Sequence, residues 1–261
     1  MTTTPAWQTL YRAPKPCDHF VQLYTDDQFL ARGVAEFLSP GFTAGEGAIV
    51  IATPAHVDLI TAALTERGVR VADALHHGQL VLVDAEECLA KFMIDGMPDA
   101  DTFSALATRL IEGVRAAGHE HMRLYGEMVN LLWREDLDAA VRLEELWNET
   151  LSAQRVTLLC AYAIDNFDRH AHRAVLPDIT RVHSHLIPVE DYERLDQAVD
   201  RAYTDIFGPE GESEAFRALL LAGSAATAVM PGAEAALLAL RGISARTADA
   251  VLDRARQHYR A

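Results

Sequence analysis

Five short apolar runs, each followed by a segment with helical spacing, constrain the fold of this chain more than any other feature of its sequence. The runs cover residues 20–24, 47–53, 79–85, 121–127 and 156–163. Their length and their content of Val, Ile, Leu and Tyr predict buried strands. Because parallel neighbours need helical crossovers, the alternation predicts an α/β fold with a mainly parallel sheet and helices on both faces.

Local start signals support the predicted helices. Asp26 and Asp27 precede an apolar spacing typical of a helix, and Thr53 followed by Pro54 is typical of an N-cap with proline at the first helical position. Further helices are predicted at residues 85–94, 99–117 and 137–152.

The pattern changes to helices alone near Pro188. These helices are predicted at residues 190–207, 212–228, 232–241 and 245–259, separated by glycine and proline. The chain therefore divides into a leader at 1–18, an α/β domain at 19–187 and a small all-α C-terminal domain at 188–261.

The charge of the chain argues against nucleic acid as a direct partner. The formal net charge is -15, and Lys15 and Lys91 are the only lysines. Binding to phosphates requires clustered basic residues, so an acidic solvated surface is the favoured interpretation.

Cysteine usage and hydropathy predict a cytoplasmic protein with no membrane partner. Cys17, Cys88 and Cys160 are odd in number and form no CxxC pair, which fits a reducing compartment. The N-terminus lacks a signal-peptide pattern, and the chain contains no apolar run of about 18 residues.

Polar and aromatic residues at the predicted strand ends form a candidate ligand site. Ligands of parallel sheets usually bind beyond the carboxyl ends of the strands. We predict a pocket lined by Tyr24, Asp26, Glu127, Trp133, Trp147 and Tyr162.

Three of these residues have a structural alternative. Glu127 follows a strand directly and is either a ligand-binding carboxylate or the cap of the next helix. Trp147 lies at helical spacing from Glu144 and Leu143, where an aromatic side chain usually belongs to the core. Trp133 is similarly ambiguous.

No cofactor is predicted, and ATP is not an expected ligand. A phosphate-binding loop needs glycines and a lysine between the first strand and helix, whereas residues 24–28 read Tyr-Thr-Asp-Asp-Gln. No catalytic residue is predicted either, because the chain has no GxSxG motif and Cys160 lies inside an apolar run.

Three HxH pairs invite a metal interpretation. His183 and His185 are the best candidates, since residues two apart on a strand share a face. Buried or exposed histidines without a metal remain the more frequent outcome, so no metal site is assigned.

The segments resemble those of one known family. HFVQLYTDDQFL, GEGAIVIATPAH, AKFMIDGMPD, LYGEMVNLLW, RLEELWNE, LLCAYAIDNF and HSHLIP follow one another in the order found in the MEDS domain, the methanogen and methylotroph sensory domain. The resemblance covers about residues 18–187. The resemblance implies that the protein senses a small molecule and that its fold is distantly related to RecA-like and KaiC-like folds.

The resemblance does not extend to an output domain. Family members carry a helix-turn-helix before the sensory domain or a kinase-like ATPase after it. Here only 18 residues precede the match, and residues 188–261 lack the Gly-rich and Asn-rich boxes of such an ATPase. The output function is therefore not expected to transfer.

Three hypotheses for the function follow. The leading one is a module that binds a small organic ligand and signals to a regulatory protein partner. The others are a metal-dependent enzyme using Glu127 and histidines, and a pure interaction protein in sigma-factor or two-component control. The residues favour a non-enzymatic role over an enzymatic one, and a homodimer is an alternative to a monomer.

Overall fold

The computed structural model describes residues 10–187, 189, 191–224 and 230–261. Contacts divide the chain into two compact units, Met1–Ala163 and Ile164–Ala261. The first nine residues of the predicted leader, the predicted boundary at Pro188 and residues 225–228 of the predicted helix 212–228 lie outside the described residues.

The first unit contains a sheet of five parallel strands. In chain order, the strands of this unit are β1 His19–Tyr24, β2 Gly47–Ala52, β3 Leu80–Asp84, the short β4 Met93–Ile94 and β5 Met97–Pro98, β6 Met122–Gly126 and β7 Thr157–Ala163. The parallel sheet has the order β3-β2-β6-β7-β1, and each adjacent pair in it is parallel. The predicted parallel α/β fold is confirmed.

Helices connect the strands of this sheet. They are α1 Asp27–Thr43, α2 Pro54–Glu66, α3 Val71–His76, α4 Ala85–Ala90, α5 Ala100–Ala116, α6 Met128–Leu132 and α7 Leu137–Gln154. Asp26 caps α1 by accepting from the Phe29 N–H, and proline begins α2.

One predicted helix is shorter than the sequence suggested. The helix predicted over 85–94 ends at Ala90, and Met93–Ile94 pairs antiparallel with Met97–Pro98. Asp95 and Gly96 connect these two strands with positive φ angles, which a two-residue hairpin turn requires. The turn residues therefore prevail over the helical spacing.

The two faces of the sheet carry different side chains. Tyr162 pairs with Leu23, while Tyr24 pairs with Ala163, so the two tyrosines point to opposite faces. Helix α1 covers the Tyr24 face, where a Cβ on Gly33 would lie 2.4 Å from the side chain of Gln22. The described part of the leader also belongs to this core, since Tyr11 is fully buried against Phe20 and Phe37.

The second unit is mainly helical. It contains a π-helical turn Ala171–Val175, α8 Leu176–Val182, the short strand β8 His185–Ile187, and four longer helices. These are α9 Tyr192–Phe207, α10 Glu210–Ala222, α11 Gly232–Ile243 and α12 Ala245–Arg260. The helical character predicted for the region after 188 is confirmed for its described residues.

Within the described residues, no helix is both long enough and apolar enough to span a membrane.

Candidate functional site

Glu127 is the centre of a hydrogen-bonded cluster at the carboxyl edge of the sheet. Its side chain is 1% exposed. The Thr53 N–H donates to Oε1 at 2.6 Å, while His56 Nδ1 at 2.6 Å and the Tyr125 hydroxyl at 2.9 Å donate to Oε2. These three donors stabilise a charge that would otherwise be costly to bury.

The capping alternative for Glu127 is wrong. Glu127 occupies the N-cap position of α6, but its side chain makes no capping hydrogen bond. Its carboxylate instead accepts hydrogen bonds from Thr53, which follows β2, and from His56 in α2, so it connects different elements of the fold.

The pKa values within this cluster favour a charged pair. Burial by itself would raise the pKa of Glu127, but the hydrogen bonds from His56 and the Thr53 N–H outweigh it and lower that pKa. The hydrogen bond to Glu127 raises the pKa of His56 against the opposing effect of burial. His56 Nε2 also lies 3.4 Å from Oδ1 of the exposed Asp27, so the histidine links a buried carboxylate to one at the surface.

A second set of contacts ties Tyr24 and Trp133 to the same edge. Asn130 Nδ2 donates to the Tyr24 hydroxyl at 3.2 Å, and Asn130 Oδ1 accepts from Trp133 Nε1 at 3.1 Å and from the Ala163 N–H at 2.8 Å. The Tyr24 ring also packs edge-on against the His56 ring. Burial, followed by the charges of Glu127 and Asp27, raises the pKa of Tyr24 above its ordinary range.

This cluster lies between two adjacent strands, β2 and β6, whose following connections lead to opposite sides of the sheet. From β2 the chain proceeds through α2 to β3 at one side, whereas from β6 it proceeds through α6 and α7 towards β7 at the other. Such a divergence between adjacent strands opens a crevice beyond their carboxyl ends. Thr53 follows β2 directly, His56 lies in the first turn of the helix after it, and Glu127 follows β6 directly, so all three lie at this position.

The other face of the sheet carries a separate buried cluster. The Tyr162 hydroxyl donates to Glu144 Oε1 at 2.7 Å, and Cys160 lies 3.5 Å from Glu144 Oε2. His19 Nε2 approaches both Cys160 Sγ and Glu144 Oε2 at 3.3 Å. Helix α7 supplies Glu144, while β1 and β7 supply the other residues.

The six residues predicted to line one pocket thus occupy different places. Tyr24, Glu127 and Trp133 belong to the linked contacts around His56 and Asn130. Asp26 is exposed and caps α1, while Tyr162 lies on the opposite face. Trp147 is buried edge-on against Phe103, as its helical spacing favoured. Ligand binding by any of these residues stays a prediction.

Sequence reasoning did not assign three residues of the Glu127 cluster. His56 lies four residues after the end of β2, Tyr125 lies within β6, and Asn130 lies in the short helix α6. The segments that contain them were singled out, but only the strand order shows that these side chains meet.

The strand that was expected to place the metal candidates His183 and His185 together is not observed, and metal binding by either residue stays a prediction. His183 follows α8 and faces the Ile179 carbonyl oxygen at 2.8 Å through Nδ1, whereas His185 begins β8. The two residues therefore do not share one strand, and the periodicity of two does not apply to them.

The first unit has concave surfaces away from Glu127. One of about 450 Å³ lies at the opposite edge of the sheet, where Gln79 precedes β3 and His119 precedes β6. Arg67, Arg70 and Asp73 contribute to its lining. These cations already face carboxylates, with Arg67 near Glu36 and Arg70 near Asp73.

Comparison with models of known protein families identifies the family of this chain. The model of the MEDS family, described as the methanogen/methylotroph, DcmR sensory domain, matches residues 18–184, which is more than half of the chain. No curated protein is similar enough to match the sequence. The matched range includes His19, His56, Glu127, Glu144 and Cys160, and it indicates a sensory or regulatory role.

Proposed function

Because the chain belongs to the MEDS sensory-domain family, we propose that it binds a small organic molecule beside Glu127 and signals the binding to a protein partner. The observation that carries this proposal is the buried Glu127 carboxylate at the divergence of β2 and β6. Its three donors come from β6, from α2 and from the residue before α2, so several elements meet at one charge.

A ligand contacts His56 directly and affects the buried Glu127 carboxylate through it. Its side chain is 13% exposed, compared with 1% for Glu127. A ligand that hydrogen-bonds to His56 alters its contacts with Glu127 and with Asp27 together. Because Asp27 begins α1 and His56 lies in the first turn of α2, both helices sense the change.

The charges around His56 select the ligand class. Asp27 and Glu127 supply two carboxylates in contact with His56, which repel an acid and attract a donor. We therefore expect small alcohols or alkylamines to bind in preference to the matching carboxylic acids.

The signal requires two states with different affinities for the ligand. In the structure, the Tyr24–Asn130–Trp133 contacts connect the end of β1, α6 and the end of β7. A ligand that displaces the Tyr24 hydroxyl from Asn130 favours a second arrangement of these ends. The partner protein then distinguishes the two arrangements.

Thermal denaturation with a panel of small alcohols, alkylamines and matched acids tests the proposal. A ligand at about 100 times its Kd stabilises the folded state by about 2.7 kcal/mol, which raises Tm by a few degrees. His56→Gln should reduce this shift strongly, whereas Tyr24→Phe should strengthen binding, because it removes the hydrogen bond from Asn130 that the ligand must break. Tyr192→Phe, in the second unit, is the matched control and should leave the shift unchanged.

Two outcomes contradict the proposal. One is that no alcohol or amine raises Tm. The other is that a shift seen with the wild-type protein persists in full in His56→Gln.

A pure interaction module is the second candidate. It is favoured by the burial of Glu127, Tyr24 and Trp133, which packs much of the strand ends. The absence of any ligand-induced shift, together with unchanged association of the chain with its partner in His56→Gln, would support it.

A further inference from the structure

Three side chains with metal-binding atoms meet on the face of the sheet opposite to Glu127. His19 begins β1, Cys160 lies within β7 and Glu144 lies in α7. Each of these residues is at most 1% exposed. Their ligand atoms all lie within 4.8 Å of one another.

The distances between these atoms match the edges of a tetrahedral metal site. Zinc bonds of about 2.0–2.2 Å to nitrogen and oxygen and about 2.3 Å to sulfur place neighbouring ligand atoms about 3.4–3.6 Å apart. The observed distances are 3.3 Å for His19 Nε2 to Cys160 Sγ, 3.3 Å for His19 Nε2 to Glu144 Oε2 and 3.5 Å for Cys160 Sγ to Glu144 Oε2. A point at bonding distance from all three atoms therefore exists.

Hydrogen bonding alone explains this triangle less well. A charged imidazole and a carboxylate in direct contact usually approach to about 2.7–2.9 Å. Here the nitrogen to oxygen distance is 3.3 Å, with the sulfur equally close to the nitrogen. The triangle is wider than a short ion pair and leaves room for a cation between the atoms.

The surrounding contacts orient the three ligands. Asn148 Oδ1 lies 3.0 Å from His19 Nδ1, so the Nδ1–H donates to it and Nε2 presents its lone pair to the cluster. The Tyr162 hydroxyl donates to Glu144 Oε1, which leaves Oε2 directed towards Cys160 and His19. Outer contacts of this kind are typical of metal-binding histidines and carboxylates.

We propose that His19, Glu144 and Cys160 bind a divalent transition metal of the zinc class. Imidazole, thiolate and carboxylate together suit zinc better than magnesium or calcium, which prefer oxygen ligands alone. The three residues fix three coordination positions. This site is separate from the proposed ligand site, because Cys160 and Tyr125 point to opposite faces of the sheet.

Binding of the metal converts the Cys160 thiol to a thiolate. The sulfur to hydrogen bond breaks, the sulfur to metal bond forms, and the proton passes to solvent. Burial, together with the charge of Glu144, raises the pKa of the thiol, so the metal-free protein holds this proton. No oxidation or reduction takes place.

Cobalt binding to the purified full chain tests the proposal. After treatment with a chelator, titration with Co²⁺ should give one equivalent of binding and a near-ultraviolet charge-transfer band from a thiolate. Zn²⁺ should abolish that band by displacement. Cys160→Ser should remove the band, whereas Cys88→Ser, at another buried cysteine outside the cluster, should retain it.

Tyr162→Phe provides a variant that keeps all three ligands. Loss of its hydroxyl should weaken Co²⁺ binding about 10-fold to 100-fold, the usual effect of removing an outer contact. This variant decides the matter if Cys160→Ser fails to fold. The proposal is overturned if wild-type protein shows no thiolate band, if Cys160→Ser retains it, or if Tyr162→Phe binds Co²⁺ as tightly as wild type.

Discussion

His56 Nδ1 lies 2.6 Å from Oε2 of Glu127, although 71 positions separate the two residues in the chain. The contact joins α2, which follows β2, to the residue that directly follows β6. Since β2 and β6 are neighbours in the sheet, the order of the strands creates this pair.

The His56–Glu127 pair should make the stability of the first unit depend on pH. The lowered pKa of Glu127 contributes stability above its ordinary value of 4.5, and this contribution is lost as pH falls through the folded pKa. The raised pKa of His56 contributes stability below its ordinary value of 6.5, and this contribution is lost as pH rises through the folded pKa. The pair therefore stabilises most between pH 4.5 and 6.5.

Urea denaturation of His56→Gln should show this window. We expect the free energy of unfolding to fall by about 1–3 kcal/mol near the middle of this pH window and by less at about pH 8. Tryptophan fluorescence follows the first unit, because Trp133 and Trp147 are buried in it and the sequence has no tryptophan after residue 163. An equal loss at both pH values would contradict the predicted charged pair.

Glu127→Gln should destabilise the same unit at all pH values above about 5. The amide has one acceptor oxygen in place of two, and its NH₂ group faces one of the three donors. We expect a loss of about 1–3 kcal/mol by the same fluorescence measurement. Glu135→Gln, at an exposed position, is the control and should change stability little.

ATP should not bind in the manner of a phosphate-loop protein. The Asp26 carboxylate accepts from the Phe29 N–H at 2.6 Å, so it occupies the end of α1 where a phosphate would bind. Asp27 adds a second negative charge there. Calorimetric titration should show no saturable binding of ATP, and micromolar affinity would refute the prediction.

Arg123 should be required for the stability of the first unit. It is 3% exposed and donates to the carbonyl oxygens of Tyr11 and Phe37 and to the carboxylate of Glu46. Arg123→Lys keeps the charge but cannot reproduce the planar set of donors, so we expect a loss of about 3–5 kcal/mol. Arg109→Lys, at an exposed position, should lie within about 0.5 kcal/mol of wild type by urea denaturation.

Glu234 should lower the stability of the second unit at neutral pH. Burial raises its pKa to about 8 from an ordinary value of 4.5, and neither oxygen has a hydrogen-bond partner among the described residues. A raised carboxyl pKa favours folding at low pH, and the contribution is lost progressively between pH 4.5 and about 8. Glu234→Gln keeps a neutral side chain at every pH, so the second unit of this variant does not lose stability in this way as the pH rises.

Hydrogen exchange in peptides from α11 measures this effect. At about pH 7, Glu234→Gln should be more stable than wild type by on the order of 3 kcal/mol, and the difference should disappear at about pH 4. Glu214→Gln, at an exposed position, should show no such dependence. Equal protection of wild type and Glu234→Gln at both pH values would contradict the prediction.

Local pattern was sufficient for the elements themselves. The β-branched run Gly47–Ala52 and the Asp26 cap of α1 each appear in the structure where the sequence places them. The hairpin after α4 was not predicted, because a helical spacing and a tight turn compete over only a few residues there.

The sequence by itself determined that the first part of the chain forms a parallel α/β unit, because strand and helix periodicities are local properties of the chain. The tertiary structure decided which polar side chains meet. The periodicity of a segment predicts which face of an element a residue lies on, but not which distant residue it contacts. The strand order β3-β2-β6-β7-β1 places β2 beside β6 and so brings His56 to Glu127. The same strand order places β1 beside β7, and their register brings His19 close to Cys160. Helix α7 adds Glu144 to this pair. Contacts between such distant segments depend on strand order rather than on local spacing.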